Sequence, residues 1–330
     1  MSGVSVITRR TLLQATALTP LAAALGPSLP TEGTRMAAAG NVAWAGPHAD
    51  DDLLSFGYGL TWYARAGFNI HALLMSRGPV TAASLRLDGS LPCRFHPYTH
   101  EPQQEGYALP TEEEIGAARW NEFKAAIYAM TRIAPATAGV TGNTFFYEGG
   151  LGTNYGCNGC ASSTAPVTRQ AVDAARAVLE PWVDSLPPNT HIRTMSPTDD
   201  HPDHAAVGIA AYEMWVDPAW HTRMGDLMFA VSRLYWGTAT SPRPADVRGE
   251  PCTWFPSDTG LGENNSVYNA IVNHLRTVVA PSYAQWSPPG AWAVGQHSVA
   301  SQFAANFGPA ASVSNLWHPA VPGRNYPVQP

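Results

Sequence analysis

From Asn41 onward, short apolar runs alternate with longer stretches of helical spacing. Val42 to Ala45 is a strand-length run that turns at Gly46-Pro47, and apolar positions resume at Leu53, Leu54 and Phe56, which predicts a helix to about Arg65, before Gly67. Phe68 to Met75, bounded by Gly67 and Gly78, is almost continuously apolar, as suits a strand buried on both faces of a parallel sheet. Residues 79–110 have no sustained period and read as a long irregular loop, as do residues 139–166. Between them, Thr111 to Glu114 has the form of a capping box, opening a helix with Trp120, Phe123, Ile127 and Met130 on one face and ending before Pro135. A second amphipathic helix, Thr168 to Ser185, carries Ala171, Ala175, Val178 and Trp182 and stops at Pro187-Pro188. Thr190 to Met195 predicts a strand, Ala205 to Trp215 a helix, Leu227 to Trp236 another strand, and Val267, Ile271, Leu275 and Val278 a further helix. The stretch from about residue 236, rich in Pro, Gly and Trp towards its end, reads as an irregular closing layer. The alternation predicts an α/β fold, a mainly parallel sheet flanked by helices on both faces, with ligands bound beyond the strands' carboxyl ends.

Two polar clusters fall at such ends. His48, Asp50, Asp51 and Asp52 crowd the turn after the first strand, and these carboxylates repel one another unless a cation sits among them. Asp199-Asp200-His201-Pro202-Asp203-His204 follows the strand at Thr190 to Met195. A catalytic zinc site commonly takes three His or carboxylate ligands and leaves a position for water. His48 and Asp51 can supply two, and one histidine of the second cluster the third. The other histidine is then left to stabilise an oxyanion, with Asp203 orienting an imidazole and Asp50 available as general base. The carboxyl end of the second strand brings Ser76 and Arg77 towards the acidic turn, making Arg77 a candidate substrate contact. Arg119 and Glu122 read as an exposed i,i+3 ion pair, and Trp120 and Trp182 as core.

The first residues add a location. Arg9-Arg10, an apolar run from Ala15 to Leu25, and alanines at 22–24 and 37–39 resemble a twin-arginine export signal. The run falls short of the roughly 20 strongly apolar residues of a membrane span. The expected organisation is a leader over residues 1–39, read by the twin-arginine export machinery, and a single secreted domain over 40–330. Removing the leader takes away three arginines and one glutamate, which leaves 16 basic against 24 acidic residues and a net charge of −8. That argues against a nucleic-acid partner. Lys124, the only lysine, reads as part of a solvated helix face. Cys93, Cys157, Cys160 and Cys252 suggest disulfides in an exported chain, with a zinc or redox half-site at Cys157–Cys160 as the alternative.

PHADDD followed by HPDH, with RWNE on the helix between, resembles the LmbE-like (PIG-L) family of zinc N-deacetylases, over about residues 41–235. That family includes the deacetylases of glycosylphosphatidylinositol and mycothiol biosynthesis. The resemblance implies a Rossmann-like sheet and one Zn2+ per chain, held by His48, Asp51 and His204. It implies Asp50 as general base, His201 as oxyanion stabiliser, Asp203 as orienting carboxylate, and a supporting role near the substrate for Asp52. Ala49 replaces the family's usual Pro, and Asp199 stands where some members have a tyrosine that assists the oxyanion. Gln296-His297-Ser298 loosely resembles a C-terminal His-Ser-Gln signature, giving His297 a candidate substrate or supporting role. The function expected is an exported zinc-dependent hydrolase that removes an N-acetyl or other N-acyl group from an N-acetylglucosamine-type sugar or glycoconjugate. The alternatives are a zinc amidase or esterase acting on a thiol conjugate or secreted natural product, and a non-catalytic extracellular carbohydrate-binding protein.

Overall fold

Four apolar runs and one stretch expected to be loop form five parallel strands, β1 (Asn41–Gly46), β2 (Asn69–Ser76), β3 (Thr144–Leu151), β4 (Thr190–Met195) and β5 (Met224–Ala230). The computed structural model describes residues 39–93, 98–152, 155–157, 165–232, 246–247, 250–255, 266–283, 286–287, 291–307 and 315–329. The expected leader with Arg9 and Arg10, the thiol pair Cys157–Cys160 and the distal end of the strand expected to reach Trp236 lie outside the described residues or side chains. Against the expected disulfides, Cys93 and Cys252 are both buried as thiols, with no disulfide among the described residues.

Across the sheet the parallel strands run β3-β2-β1-β4-β5. Val42 to Ala45 is fully buried because β1 lies between β2 and β4 with both faces covered, which is why the run is continuous rather than alternating. The winding direction reverses between β1 and β4, so their carboxyl ends flank the switch point where doubly wound sheets bind ligands. Trp44 pairs with Arg193 and Ala45 with Thr194, whose hydroxyl donates to the Ala45 carbonyl at 2.7 Å. That register sets the two polar clusters side by side.

The helices are α1 (Asp51–Leu54), α2 (Gly57–Arg65), α3 (Ala82–Leu87), α4 (Pro102–Glu105), α5 (Glu112–Thr131), α6 (Arg169–Ser185), α7 (Pro202–Val216), α8 (Pro218–His221), α9 (Ser266–His274) and α10 (Val294–Phe307). On one face α2 packs against α5 and β2; on the other α6 packs against α7, which also covers β4 and β5. The Thr111–Glu114 capping box is formed, and Thr168 caps α6.

Several boundaries differ from expectation. The helix after the acidic turn is two pieces, α1 and α2, interrupted at Ser55-Phe56. The loop expected over residues 139–166 contains β3, an edge strand whose half-exposed residues and Gly149-Gly150 blur its alternation. The loop over 79–110 contains α3 and α4, each too short to show a period. The closing layer is more regular than its composition suggests. It contributes β8 (Thr253–Phe255) and β11 (Asn315–Pro319), which extend the main sheet to seven strands, β11 lying antiparallel between β5 and β8. Two short ribbons accompany it, β6 (Asp246–Val247) with β7 (Glu250–Pro251) and β9 (Trp286–Ser287) with β10 (Ala291–Trp292). After α9 the chain widens into a π-helical turn at Leu275–Val279 and tightens at Ala280–Tyr283, which buries Tyr283 completely. Among the described residues, no helix is long and apolar enough to cross a membrane.

Candidate active site

The acidic turn leaves β1 through Gly46-Pro47, and the Pro47 carbonyl accepts from the Ser76 N–H at 3.2 Å, which binds the turn to the end of β2. Asp50 then takes φ +103°, a conformation that costs a non-glycine residue on the order of 1–3 kcal/mol. The surroundings hold it there. Its N–H donates to the Tyr283 hydroxyl at 3.0 Å and to Asp52 Oδ1 at 3.2 Å, and the same hydroxyl donates to Asp52 Oδ1 at 2.6 Å. From α5, Arg119 Nη2 donates to the Ala49 carbonyl at 2.7 Å and lies 3.5 Å from Asp50 Oδ2. The twist turns Asp50 and Asp51 in different directions.

At the end of β4, His201 caps α7, its Nδ1 accepting from the Asp203 N–H at 3.3 Å. Asp203, fully buried, accepts from the Gly156 N–H at 2.5 Å through one oxygen and meets His48 Nε2 at 2.8 Å through the other. Only glycine lets the backbone come this near: a Cβ at 156 would lie 2.1 Å from the Pro202 carbonyl carbon. Asp51 Oδ2 is 3.5 Å from His48 Nδ1 and 3.2 Å from His204 Nε2. His204 Nδ1 lies 3.4 Å from Asp199 Oδ2. Nitrogen atoms of His48, His201 and His204 all fall within 4.8 Å of one another.

The charges divide accordingly. Burial opposes a charged ring at His204, but Asp51 and Asp199 outweigh it and raise its pKa well above the usual range. His48 is raised in the same way by Asp203 and Asp51. Burial also opposes ionisation of Asp51, yet His204 and His48 hold it well below the ordinary carboxylate value. Protons thus hold these imidazoles against carboxylates, and a divalent cation is the natural replacement for them, since metal binding to such ligands releases protons. Asp203 on His48 and Asp199 on His204 stand behind the rings as the carboxylates that orient metal-bound histidines do. Asp50 behaves differently: burial, opposed by Arg119, raises it to about 6. Burial, together with His204 and His48, pushes His201 down to about 3, so its ring is neutral.

The fold therefore brings together His48, Asp50, Asp51, His201, Asp203 and His204. Asp52, expected near substrate, is fully buried beneath the turn, where burial raises its pKa to about 8 and its Oδ1 accepts from the Tyr283 hydroxyl and the Asp50 N–H. Arg77 makes a two-point ion pair with Glu148, at 2.5 and 2.9 Å. His297 is fully buried on α10, with its Nδ1 on the Ala293 carbonyl and its Nε2 facing His100. Arg119 and Glu122 are not the exposed pair expected. Both are buried, Arg119 on the acidic turn and Glu122 accepting from the N–H groups of Val294 and Gly295 at 2.6 and 2.9 Å. Their spacing carried the signal, since Ile115, Arg119, Glu122 and Ala126 lie on one buried helical stripe. For Tyr283 nothing near it in the sequence pointed to the site.

The family model described as GlcNAc-PI de-N-acetylase (PIG-L) matches residues 44–215. No curated protein sequence matches the chain. Among solved structures, a deacetylase–teicoplanin complex from the teicoplanin biosynthesis pathway is similar at 16% identity, covering 86% of this chain and 100% of that one with a TM-score of 0.46. The N,N'-diacetylchitobiose deacetylase of Pyrococcus horikoshii is similar at 14% identity, covering 88% and 86% with a TM-score of 0.42. A 4-carboxy-2-hydroxymuconate hydratase from Pseudomonas putida is similar at 11% identity, covering 87% and 99%, again with a TM-score of 0.42.

Proposed function

Because this chain belongs to the GlcNAc-PI de-N-acetylase (PIG-L) family, we propose that it is a metal-dependent amide hydrolase that removes the acetyl, or a longer acyl, group from an N-acylated amino sugar or glycoconjugate. The observation that carries the reading is the position of Asp51 Oδ2 against both His204 Nε2 and His48 Nδ1, with Asp50 beside it in a different direction. His48, Asp51 and His204 would hold the metal, for which the donor set suits zinc. When bound, zinc supplies Lewis acidity towards the acyl carbonyl and makes a water acidic enough to ionise near neutral pH.

The remaining work falls to the chain's own groups. With a pKa of about 6, Asp50 is ionised at neutral pH and is still basic enough to take a proton from the attacking water. His201 accepts from a backbone N–H through Nδ1, so its proton sits on Nε2 and is available to the oxygen that gains charge when the carbonyl is attacked. Asp50 then delivers its proton to the nitrogen as the C–N bond breaks, and a carboxylate and an amine leave. Arg119 keeps Asp50 from rising further and pins the carbonyl before it.

The Arg9-Arg10 pair and the apolar run after it, which resemble a twin-arginine export signal, support an exported enzyme, whose substrate would be a wall glycan, a chitin fragment or a secreted natural product. The first test is acetate release from a panel of N-acetylglucosamine oligomers by the metal-loaded protein and by Asp50→Asn. The wild type is expected to release acetate, and the variant to retain its metal while losing roughly 10²–10⁴-fold in rate. Equal rates at equal loading would remove Asp50 from the chemistry. No release from any N-acyl sugar, with the metal bound, would overturn the substrate class.

A further inference from the structure

Away from the acidic turn, three buried side chains of metal-ligating type converge: Cys93 after α3, His100 before α4 and His297 on α10, with one ligand atom of each within 4.8 Å of the others. They share no residue with the candidate active site. The two rings face each other, Nε2 to Nε2, at 3.1 Å. Behind each ring, Nδ1 meets an acceptor: the Glu105 carboxylate at 3.0 Å for His100 and the Ala293 carbonyl at 3.0 Å for His297. An acceptor at Nδ1 sets the proton there and turns the Nε2 lone pair outward, the arrangement that carboxylate and carbonyl partners impose on metal-bound imidazoles. Two lone pairs at this distance repel unless a proton or a cation lies between them. The separation also approaches the edge of a tetrahedral zinc site, about 3.3 Å between two nitrogens each about 2.0–2.1 Å from the metal.

The surroundings are those of a structural clamp. Arg86 donates to the carbonyls of His297 and of Ser298, so α3 and α10 are already tied at this point. Through Val294 and Gly295, α10 continues onto Glu122 of α5, one turn from Arg119. His100 also lines a cavity of about 630 Å3.

We propose that Cys93, His100 and His297 form a second, sulfur-containing metal site with three protein ligands, suited to zinc, that fastens the chain at Cys93 and at His100 to α10. The test is cobalt substitution of the purified full chain, since the active-site ligands contain no sulfur and a thiolate-to-cobalt charge-transfer band reports only on a cysteine. The fully loaded wild type is expected to hold two metal ions per chain and to show the band. Cys93→Ser is expected to hold one and lose the band. A Cys157→Ser/Cys160→Ser/Cys252→Ser variant, which leaves Cys93 untouched, is expected to keep both, and it decides the matter if Cys93→Ser does not fold. One metal per chain at saturation, no thiolate band in the wild type, or loss of the band in the triple variant would overturn the site and leave the hydrolase reading standing. Two ions without acetate release would do the reverse.

Discussion

Asp50 combines two properties that substitutions can separate, its carboxylate and its positive φ. Alanine removes the carboxylate and keeps the strain, whereas glycine removes both. Asp50→Gly is therefore expected to be more stable than Asp50→Ala by about 1 kcal/mol, with both inactive, as urea unfolding of the two variants would show. Equal stabilities would mean that the turn relaxes rather than stores strain. The sequence disclosed Asp50, since three carboxylates beside a histidine after an apolar run are legible as chemistry. It could not disclose the backbone twist, because that twist depends on a hydroxyl far along the chain, at Tyr283.

At the scale of the element, α5 is the instructive case. Its capping box and apolar face were legible because both are local patterns, set by spacing within one helix. Which neighbour receives Arg119 was not local. The guanidinium reaches across to the Ala49 carbonyl and lowers Asp50, so its removal leaves a buried carbonyl unpaired and lets the base's pKa rise. Arg119→Met is expected to lower kcat about tenfold or more and to move the acidic limb of the pH–rate profile upward. A profile unchanged in position would make Arg119 a packing residue only. The edge strand β3 escaped notice for the opposite reason: its pattern is weak by itself and becomes a strand only because β2 offers hydrogen bonds beside it.

For the whole molecule, burial has a cost that depends on pH. His71 in β2 and His318 in β11 are buried and pushed down to about 4 by desolvation. The unfolded chain takes up a proton on each near pH 6.5 and the folded chain only near 4. The stability they contribute is therefore complete above about 6.5 and declines as pH falls towards 4. Between pH 6.5 and 5 the loss is at most about 2 kcal/mol for each histidine. Urea unfolding at pH 7 and pH 5 is expected to show a smaller drop in the His71→Asn/His318→Gln double variant than in the wild type; equal drops would assign the acid sensitivity elsewhere.

By itself the sequence determined what short-range rules can determine. The buried runs became the central strands, the capped amphipathic stretches became α5 and α6, and the two polar clusters stood where strands ended. Backbone geometry enforces those periods residue by residue, so they survive in the linear text. The tertiary structure decided which distant groups meet. The order β3-β2-β1-β4-β5 put β1 beside β4 and so joined His48 to Asp203 and Asp51 to His204. The same folding placed Asp199 behind His204, drew Arg119 and Tyr283 under the turn, and gathered Cys93, His100 and His297 at a second point. Such meetings depend on strand order and on the packing of separate layers, which no spacing along a single chain encodes.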